Sequence, residues 1–383
     1  MIYLDHAATC PLLPPVWERM QALVGEADFN PASLHSAGGR AAASLEHSRK
    51  ELADLLGVAR SEIVFTAGGT QSDNLAVLGF ARAHPGAARI VVSAVEHKAV
   101  LEAARRAQSE GAAVDVLPVD SSGRVHPHIL AELLDRAPAG PTLVSVMWAN
   151  SEVGTVQPIS GLCRLARERG ALFHTDAVQA LGKVPLPLAD VPADLVTVTA
   201  HKLGGPVGIG LLVKRGSVAI EPLSYGGSQE KSLWPGTQNP LGAAGFAEAV
   251  RLAVTALPAS ALRWRGMRQG LEQDLLATIP DLVVHAGDAT DRLPNLLSVG
   301  IPGCDQAALL TALDLAGVAV SAGSACASGA STGSHVLEAM GVQPADSYAV
   351  IRFSFGPRTT EAEVEEAATR LREAVNRLRR TAP

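Results

Sequence analysis

The sequence predicts an α/β fold in which a large domain with a mostly parallel, doubly wound sheet is joined to a smaller α+β domain. Three observations predict it. Short β-branched runs alternate with helical patterns over roughly 150 residues, which is typical of a parallel sheet covered by helices. The chain has 383 residues, enough for two domains. Hydrophobic residues make up 47% and charged residues 18%, as in a globular protein.

The N-terminal part begins with a short strand and a turn over 1–13, and a helix is expected over 16–24. An irregular polar segment, 28–39, follows and leads into a helix over 40–56. Irregular segments of this length in compact chains are usually functional or disordered. We expect this segment to be an active-site loop, because it carries Asn30 and His35.

The alternating region comes next. The expected strands are 62–66, 89–93, 113–118, 142–148, a short run beginning at 173, 195–199 and 209–213. The expected helices are 75–83, one opening at 96–100, one starting over 126–134, and 158–168.

The C-terminal part begins with a helical pattern over 241–256. Pro258 lacks a backbone N–H, so it predicts a helix break and a hinge between domains. We therefore expect a large, cofactor-binding domain over 14–257 and a small domain made of 1–13 and 258–383. Glu363 follows Thr360 by three residues, which predicts a capping box for a last helix. The small domain should also contain helices 259–278, 305–316 and 334–341 and strands 296–299, 318–321 and 348–354.

Composition excludes several classes of protein. The net charge is −6, which provides no basic footprint for nucleic acid. No apolar run is long enough to predict a membrane span, and the acidic start of the chain does not read as a signal peptide. The 4 cysteines lie far apart without a CxxC pair. A zinc site or a disulfide framework is therefore not expected, and a cytoplasmic location is.

The stretch 173–202 contains the central candidate site. Asp176 and Gln179 follow one strand, and His201 and Lys202 follow the next. In an open α/β sheet, ligands bind at the carboxyl ends of the strands. A lysine that forms a Schiff base and a carboxylate that keeps a pyridine nitrogen protonated are what pyridoxal phosphate (PLP) requires. The alternative, a lysine and an acid in solvated loops, is open from this stretch alone.

A glycine-rich turn separates the strand at 62–66 from the next helix. Gly68, Gly69 and Thr70 would let backbone N–H groups and a helix N-terminus face a phosphate. The turn is neither a Walker loop nor G-x-G-x-x-G, which disfavours ATP and NAD. A tight turn with a threonine cap is the alternative.

Three other side chains are candidates for chemistry. Cys326 lies in a Gly/Ser/Ala-rich loop over 321–333, which favours an accessible, reactive thiol over an inert one. Cys163, within a helical pattern, is interpreted as ordinary packing. Arg352 lies in an apolar strand, where it could bind a carboxylate or form an ion pair between domains. His97 opens a helix and could cap it or cover a cofactor ring.

Motifs that extend along the whole chain resemble those of PLP-dependent cysteine desulfurases of the nitrogen-fixation and iron–sulfur-cluster type. These enzymes belong to the class V aminotransferases of fold-type I. The matching segments are 3–9 (YLDHAAT), 29–33 (FNPAS), 65–74 (FTAGGTQSDN), 96–100 (EHKAV), 174–179 (HTDAVQ), 201–202 (HK), 323–326 (GSAC) and 351–354 (IRFS).

The resemblance implies a set of cofactor contacts. Lys202 would carry the PLP Schiff base, Asp176 would pair with the pyridine N–H, and Gln179 would bond the ring hydroxyl. His97 would stack on the ring. The phosphate would be held by Gly69, Thr70, Thr199 and His201, with Thr237 reaching the phosphate of a partner subunit in a homodimer with shared sites.

The resemblance also implies the reaction. Arg352 and Asn30 would position the carboxylate of L-cysteine, Lys202 would act on its Cα proton, and Cys326 would take its sulfur as a persulfide. Alanine is then released, and a sulfur-acceptor protein consumes the persulfide for iron–sulfur cluster or other thio-cofactor assembly. Ser151, also expected at the substrate, stands where the family commonly has a second asparagine.

Two further departures from the family are Trp234, where an arginine is common, and Gly69, where alanine is usual. Neither removes the lysine, acid or thiol. The alternatives are a selenocysteine lyase, another class V PLP enzyme such as a transaminase, or a PLP-fold scaffold protein. Cys326 argues against a transaminase, and Lys202 with Asp176 argues against a scaffold.

Overall fold

The computed structural model describes residues 1–136, 140–216, 218–323, 333–342 and 348–381. Its strands are β1 (Ile2–Tyr3), β2 (Ile63–Thr66), β3 (Arg89–Ser93), β4 (Ala113–Leu117), β5 (Thr142–Ser145), β6 (Leu172–Asp176), β7 (Leu195–Thr199), β8 (Gly210–Lys214), β9 (Val283–Val284), β10 (Leu296–Pro302), β11 (Val318–Ala319) and β12 (Tyr348–Ser354). Its helices are α1 (Pro14–Gln21), α2 (Ser36–Leu56), α3 (Gly69–Ala83), α4 (Lys98–Ser109), α5 (Pro127–Asp135), α6 (Ile159–Glu168), α7 (Pro240–Thr278), α8 (Gln306–Leu315), α9 (His335–Ala339) and α10 (Glu361–Thr381).

The main sheet is mostly parallel, as predicted. Among the described residues it has 7 strands in the order β2-β8-β7-β6-β5-β3-β4. Strands β3 to β7 run parallel, and β8 is antiparallel to both of its neighbours. Nearly every residue of β6 and β7 is buried, which explains why β7 is a continuous run of apolar residues and threonines. The carboxyl ends of β5, β6 and β7 therefore meet at one edge of the sheet.

The last third of the chain forms smaller sheets. Strand β10 pairs antiparallel with both β9 and β12. The first strand of the chain, β1, pairs in parallel with β11, and Asp5 bridges to Ser354. The first residues thus pair with the C-terminal part of the fold, and their assignment to a small domain stays a prediction.

Two hydrophobic cores share the helix α7. Its first half contributes Phe246 and Val250 to the core around the large sheet. Its second half contributes Trp264, Leu271 and Leu275 to a second core under β10 and β12. These separate cores support a two-domain division, and the boundary near residue 257 stays a prediction.

The predicted helix break at Pro258 is wrong, because α7 continues through it over 39 residues. Pro258 is exposed, so the carbonyl of Val254, which would accept its missing N–H, faces the solvent side of the helix. Tertiary packing on both sides then maintains the helix. The apolar window of α7 is long enough to cross a membrane by length and composition, but 50% of it is buried inside the protein. A buried core helix meets the same test, so this is weak support for a span.

Several local predictions are confirmed. Strand β12 has the predicted bounds. The capping box at α10 is present, because the Thr360 amide donates to Glu363 and the Glu363 amide donates to the Thr360 hydroxyl.

Helix α3 begins at Gly69 and not at the predicted residue 75, so the glycine-rich turn supplies its first helical turn.

Candidate active site

A cavity of about 450 Å³ lies at the carboxyl ends of the central strands. Its walls come from the ends of β6 and β7, the start of α3, the loop after β5, the N-terminal segment and β12. The predicted site residues that line it are Gly69, Thr70, His97, Ser151, Asp176, Gln179, Thr199, His201, Lys202 and Arg352. The structure therefore brings together residues that are up to 283 positions apart in the chain (352 − 69).

Two predicted residues, Asn30 and Thr237, do not line this cavity in one copy of the chain, and a third has no described position. The Asn30 side chain accepts a hydrogen bond from the Ala32 amide at 3.0 Å and so serves a local turn. Thr237 is exposed. Cys326 lies outside the described residues. Because no bound substrate or second copy is present, the roles expected for these residues stay predictions. His35, in the predicted active-site loop, is the N-cap of α2 and also lies outside the cavity lining.

Lys202 stands in a short turn directly after β7. Its Nζ donates to the carbonyls of Ala7 and Ala8, each at 2.7 Å. The N-terminal segment therefore holds the amine at the cavity wall. Gln179 donates from Nε2 to the same Ala7 carbonyl at 2.8 Å. The Gln179 amide and the Lys202 amine, which follow different strands, thus donate to the same backbone carbonyl.

Asp176 is the last residue of β6 and is buried at the cavity wall. Its Oδ1 accepts from the Val178 amide at 2.9 Å. Burial raises its pKa, while His97, the Val178 amide and Lys202 act in the opposite direction. The carboxylate therefore lies where a cationic N–H group would be stabilised by a charge-assisted hydrogen bond.

Two buried acids, Asp73 and Glu96, were given no role from the sequence. Burial raises the pKa of Asp73, and the nearby Asp176 adds to the effect. Burial also raises the pKa of Glu96 to about 8. Both acids line the cavity. Burial thus raises the pKa of all three acids, and for Asp176 the nearby His97 and Lys202 oppose the effect of burial. Their positions directly after strand or turn signals could have identified them.

The N-terminus of α3 forms one end of the cavity. Gly68 has φ +157°, and a Cβ on Gly210 would lie 2.8 Å from the Gly68 Cα, so the two backbones pack closely. Gly69 and Thr70 supply first-turn N–H groups, which favour an anion. Thr199 and His201 line the same cavity. The arrangement agrees with the predicted phosphate cradle.

His97 caps α4 and also lines the cavity. Its Nδ1 accepts from the Ala99 amide at 3.1 Å, so the capping interpretation is confirmed. Burial lowers the pKa of His97, Asp176 opposes this effect, and Lys202 adds to it. A neutral ring with Nδ1 as acceptor carries its proton on Nε2. Its role as cover for a cofactor ring stays a prediction.

Arg352 is buried, with 2% of its surface exposed, yet it lines the cavity. Its Nη2 pairs with Asp5 at 2.7 Å, and its Nη1 donates to the carbonyls of Ser151 and Gly323 at 2.9 Å each. Its Nε has no hydrogen-bond partner among the described residues. An ion pair is therefore present, as one of the two alternatives predicted. The Nε–H donor of the guanidinium is left without a partner among the described residues.

Gly323 and Ser334, described residues on either side of Cys326 in the sequence, both lie beside Glu152. A Cβ on Gly323 would lie 3.3 Å from the Glu152 carboxylate, and the Ser334 hydroxyl donates to the same Oε2 at 2.5 Å. Gly323 also lines the cavity. Cys163 is buried in the core around the large sheet, which confirms its packing role.

These donors fit PLP. A buried carboxylate, a lysine and an anion-binding helix end face one cavity, and a guanidinium stands on another wall for a substrate carboxylate. PLP supplies, when bound, the electron-withdrawing ring that stabilises negative charge on a substrate carbon.

Comparison with known proteins agrees with this geometry. The family model for aminotransferase class-V matches residues 2–366. A cysteine desulfurase of Nostoc sp. is 39% identical over 383 residues, covering 100% of this chain and 95% of that protein. An IscS-like cysteine desulfurase of Mycobacterium tuberculosis is 42% identical over 387 residues, covering 100% and 98%.

Solved structures show the same similarity. A NifS-like protein superposes with a TM-score of 0.90 at 35% identity, covering 98% of this chain and 99% of the other. A NifS-like protein from Rickettsia africae gives 0.89 at 32% identity, with the same coverage of both chains. The chain thus belongs to the class V aminotransferase family of PLP-dependent enzymes, as its motifs predicted.

Proposed function

We propose that the protein is a cysteine desulfurase, which converts L-cysteine to L-alanine and transfers the sulfur to Cys326 as a persulfide. One observation carries the proposal. Lys202, Asp176 and Arg352 face a single cavity, and Gly323, three residues before Cys326, lies on the wall of that cavity. Relatives that carry this name match the chain over its full length.

Each wall of the cavity has a separate task in this proposal. Asp176 holds a negative charge against the cofactor ring nitrogen. The first turn of α3, with Thr199 and His201, holds the phosphate. Arg352 orients the substrate carboxylate, and Lys202 binds the cofactor and moves the proton at the substrate Cα. Arg352 and Lys202 together therefore select an α-amino acid.

Cys326 supplies the nucleophile. Three residues of extended chain span at most about 11 Å, so a thiol three positions from Gly323 is within reach of the cavity. The Cys326 thiolate attacks the substrate sulfur, an S–S bond forms, and the substrate Cβ–S bond breaks. The carbon that loses sulfur takes up a proton, which gives alanine. The outer sulfur of the enzyme persulfide is then at an oxidation level at which an acceptor thiol can take it over.

The first test measures the visible absorption of the purified protein and alanine formation from L-cysteine, for the parent and for Cys326→Ser. We expect a PLP band in both and alanine only from the parent. Cys163→Ala, which alters a buried core thiol, is the matched control and should retain activity. Alanine formation by Cys326→Ser at the parent rate would remove the role of this thiol. No PLP band after addition of cofactor would contradict the proposal as a whole.

The active unit of this proposal is a homodimer. Thr237 is exposed and does not line the cavity of its own chain, which leaves it accessible for a contact with the phosphate of another copy. Leu34 and Tyr225 are also strongly exposed, at 105% and 77%, which suits a contact between copies. Mixing inactive Lys202→Ala with Thr237→Val chains tests the sharing of sites. If the sites are shared, the activity of the mixture should differ from the average of the activities of the two homodimers.

The remaining parts of the proposal concern location and partners. A cytoplasmic enzyme accords with the state of the cysteines in the described part of the chain, where Cys10, Cys163 and Cys304 are free and buried. The persulfide has to be consumed by a sulfur-acceptor protein. Transfer of labelled sulfur from L-cysteine to an acceptor thiol would test this step.

A further inference from the structure

Lys183 is a buried lysine to which neither the sequence analysis nor the proposed mechanism gives a role. Its residue is 4% exposed. Among the described residues, no carboxylate lies within 4.0 Å of its Nζ. Its hydrogen-bond partner there is the Oε1 of Gln179, at 3.2 Å. A buried ammonium that bonds an amide and no acid is costly, so its position needs an explanation.

The contacts with Lys183 and with the Ala7 carbonyl select the same orientation of the Gln179 amide. An amide can be turned by 180°, which exchanges its donor and its acceptor. An ammonium group has donors and no acceptor, so it selects the orientation in which Oε1 faces Lys183. The Nε2 group of Gln179 then points the other way and donates to the Ala7 carbonyl at 2.8 Å. One N–H of this group is left for the cavity, which Gln179 lines.

Lys183 is also linked to the catalytic lysine. Lys202 donates to the same Ala7 carbonyl at 2.7 Å, so Lys183, Gln179, Ala7 and Lys202 form one continuous chain of contacts. Burial lowers the pKa of Lys183 to about 7, and Lys202 acts in the same direction, while Cys10 and Asp176 oppose it. Below that pKa the head group can only donate.

We propose that Lys183 is a positioning residue, which fixes the Gln179 amide with its N–H towards the cavity so that it donates to an anionic oxygen of the bound cofactor. The inference rests on the proposed function, because it assumes that PLP occupies the cavity. Without Lys183 only the Ala7 carbonyl holds the amide in this orientation, so its N–H should be presented to that anionic group less firmly.

The surroundings of Lys183 allow it to be replaced without disturbing the fold. A second, largely apolar cavity of about 330 Å³ lies beside it, lined among others by Lys202, Leu252 and Trp264. Methionine has a similar length and suits apolar walls. The free volume can also admit an arginine, which again only donates.

The experiment is a double-mutant cycle on PLP affinity, measured by titrating apo-protein with PLP at about pH 6.5. We expect Lys183→Met to weaken PLP binding about tenfold, as for a lost hydrogen bond to a charged group, and Lys183→Arg to restore it. In a Gln179→Leu background, which has no amide to orient, Lys183→Met should change the affinity no further. Thermal melting of each apo-variant checks that the fold is intact.

Two outcomes would overturn the inference. Unchanged PLP affinity in Lys183→Met would show that the amide does not need the lysine. Additive effects of the Lys183 and Gln179 substitutions would show that the lysine acts by another route. The proposed function fails separately, since that failure appears as a parent protein that binds no PLP or binds PLP and forms no alanine from L-cysteine.

Discussion

Arg49 and Arg352 are both buried, yet their surroundings differ. Arg49 lies on α2 under the large sheet, and Arg352 lies on β12 at the cavity. A buried guanidinium is stable only when its donors are matched by acceptors. The comparison therefore depends on how completely each arginine is matched.

Arg49 is matched at every nitrogen. Its Nη1 and Nη2 donate to the two oxygens of Glu230 at 2.8 and 2.7 Å, and its Nε donates to Glu46 at 2.9 Å. Its guanidinium also lies 4.6 Å from the centre of the Phe65 ring. Glu230 stands at φ +46° in the loop that leads to Thr237, so the ion pair holds a strained backbone.

Arg352 is matched only in part. Asp5 accepts from one nitrogen, two carbonyls accept from another, and Nε has no partner among the described residues. A guanidinium with a partner at every nitrogen holds the fold together. Arg352 lines the cavity and has a nitrogen without a partner among the described residues. The difference between the two arginines thus agrees with a structural role for Arg49 and with the binding role proposed for Arg352.

The largest expected effect is that of Arg352→Lys. Lysine keeps the charge but loses the planar fork, so kcat/KM for L-cysteine should fall about 100-fold. The melting temperature should also fall, because lysine cannot keep all the bonds of Arg352 to Asp5 and to the carbonyls of Ser151 and Gly323. Arg49→Lys is the matched control, and it should lower the melting temperature with kcat/KM near the parent value. Equal effects of the two substitutions on activity would remove the distinction between the arginines.

Glu230→Gln should have the next largest effect, which is a loss of stability. It leaves the buried Arg49 charge without its main partner, so the free energy of unfolding should fall by about 3 kcal/mol. Urea denaturation of the apo-protein measures this. Glu46→Gln alters the exposed partner of the same arginine, and a loss of about 0–1 kcal/mol is expected there. A larger loss for Glu46 than for Glu230 would contradict the structural role of the buried pair.

Asp5→Asn should have the smallest effect. The Asp5 carboxylate forms the ion pair with Arg352, and the Asp5 side chain is 19% exposed. Its removal leaves more positive potential for a substrate carboxylate, so KM for L-cysteine should fall about threefold with kcat near the parent value. High salt should reduce the difference. A rise in KM would indicate that Asp5 mainly orients the arginine.

The sequence predicted the elements better than it predicted the contacts between them. Strand β12 and the α10 cap follow from local patterns, and both are as predicted. The pairing of Asp5 with Arg352 joins residues 347 positions apart, and no periodicity signals it. The lysine and acid of the cavity were found because parallel strands deliver their ends to one edge.

Other features could not be predicted because they depend on tertiary surroundings. Pro258 has a helix-breaking signal, but packing of α7 against two cores outweighs it. The bond of Asn30 to its own turn was not predicted, and its role at a substrate stays a prediction. The role predicted for Thr237 would depend on a second copy of the chain, which local sequence patterns do not reveal.

The helix α7 has a consequence for cooperativity. At 1.5 Å per residue, its 39 residues form a rod of about 58 Å. Because its two halves are buried in different cores, neither core can melt without exposing apolar surface on a shared backbone segment. The two parts of the protein should therefore unfold in one calorimetric transition, although each has a core of its own.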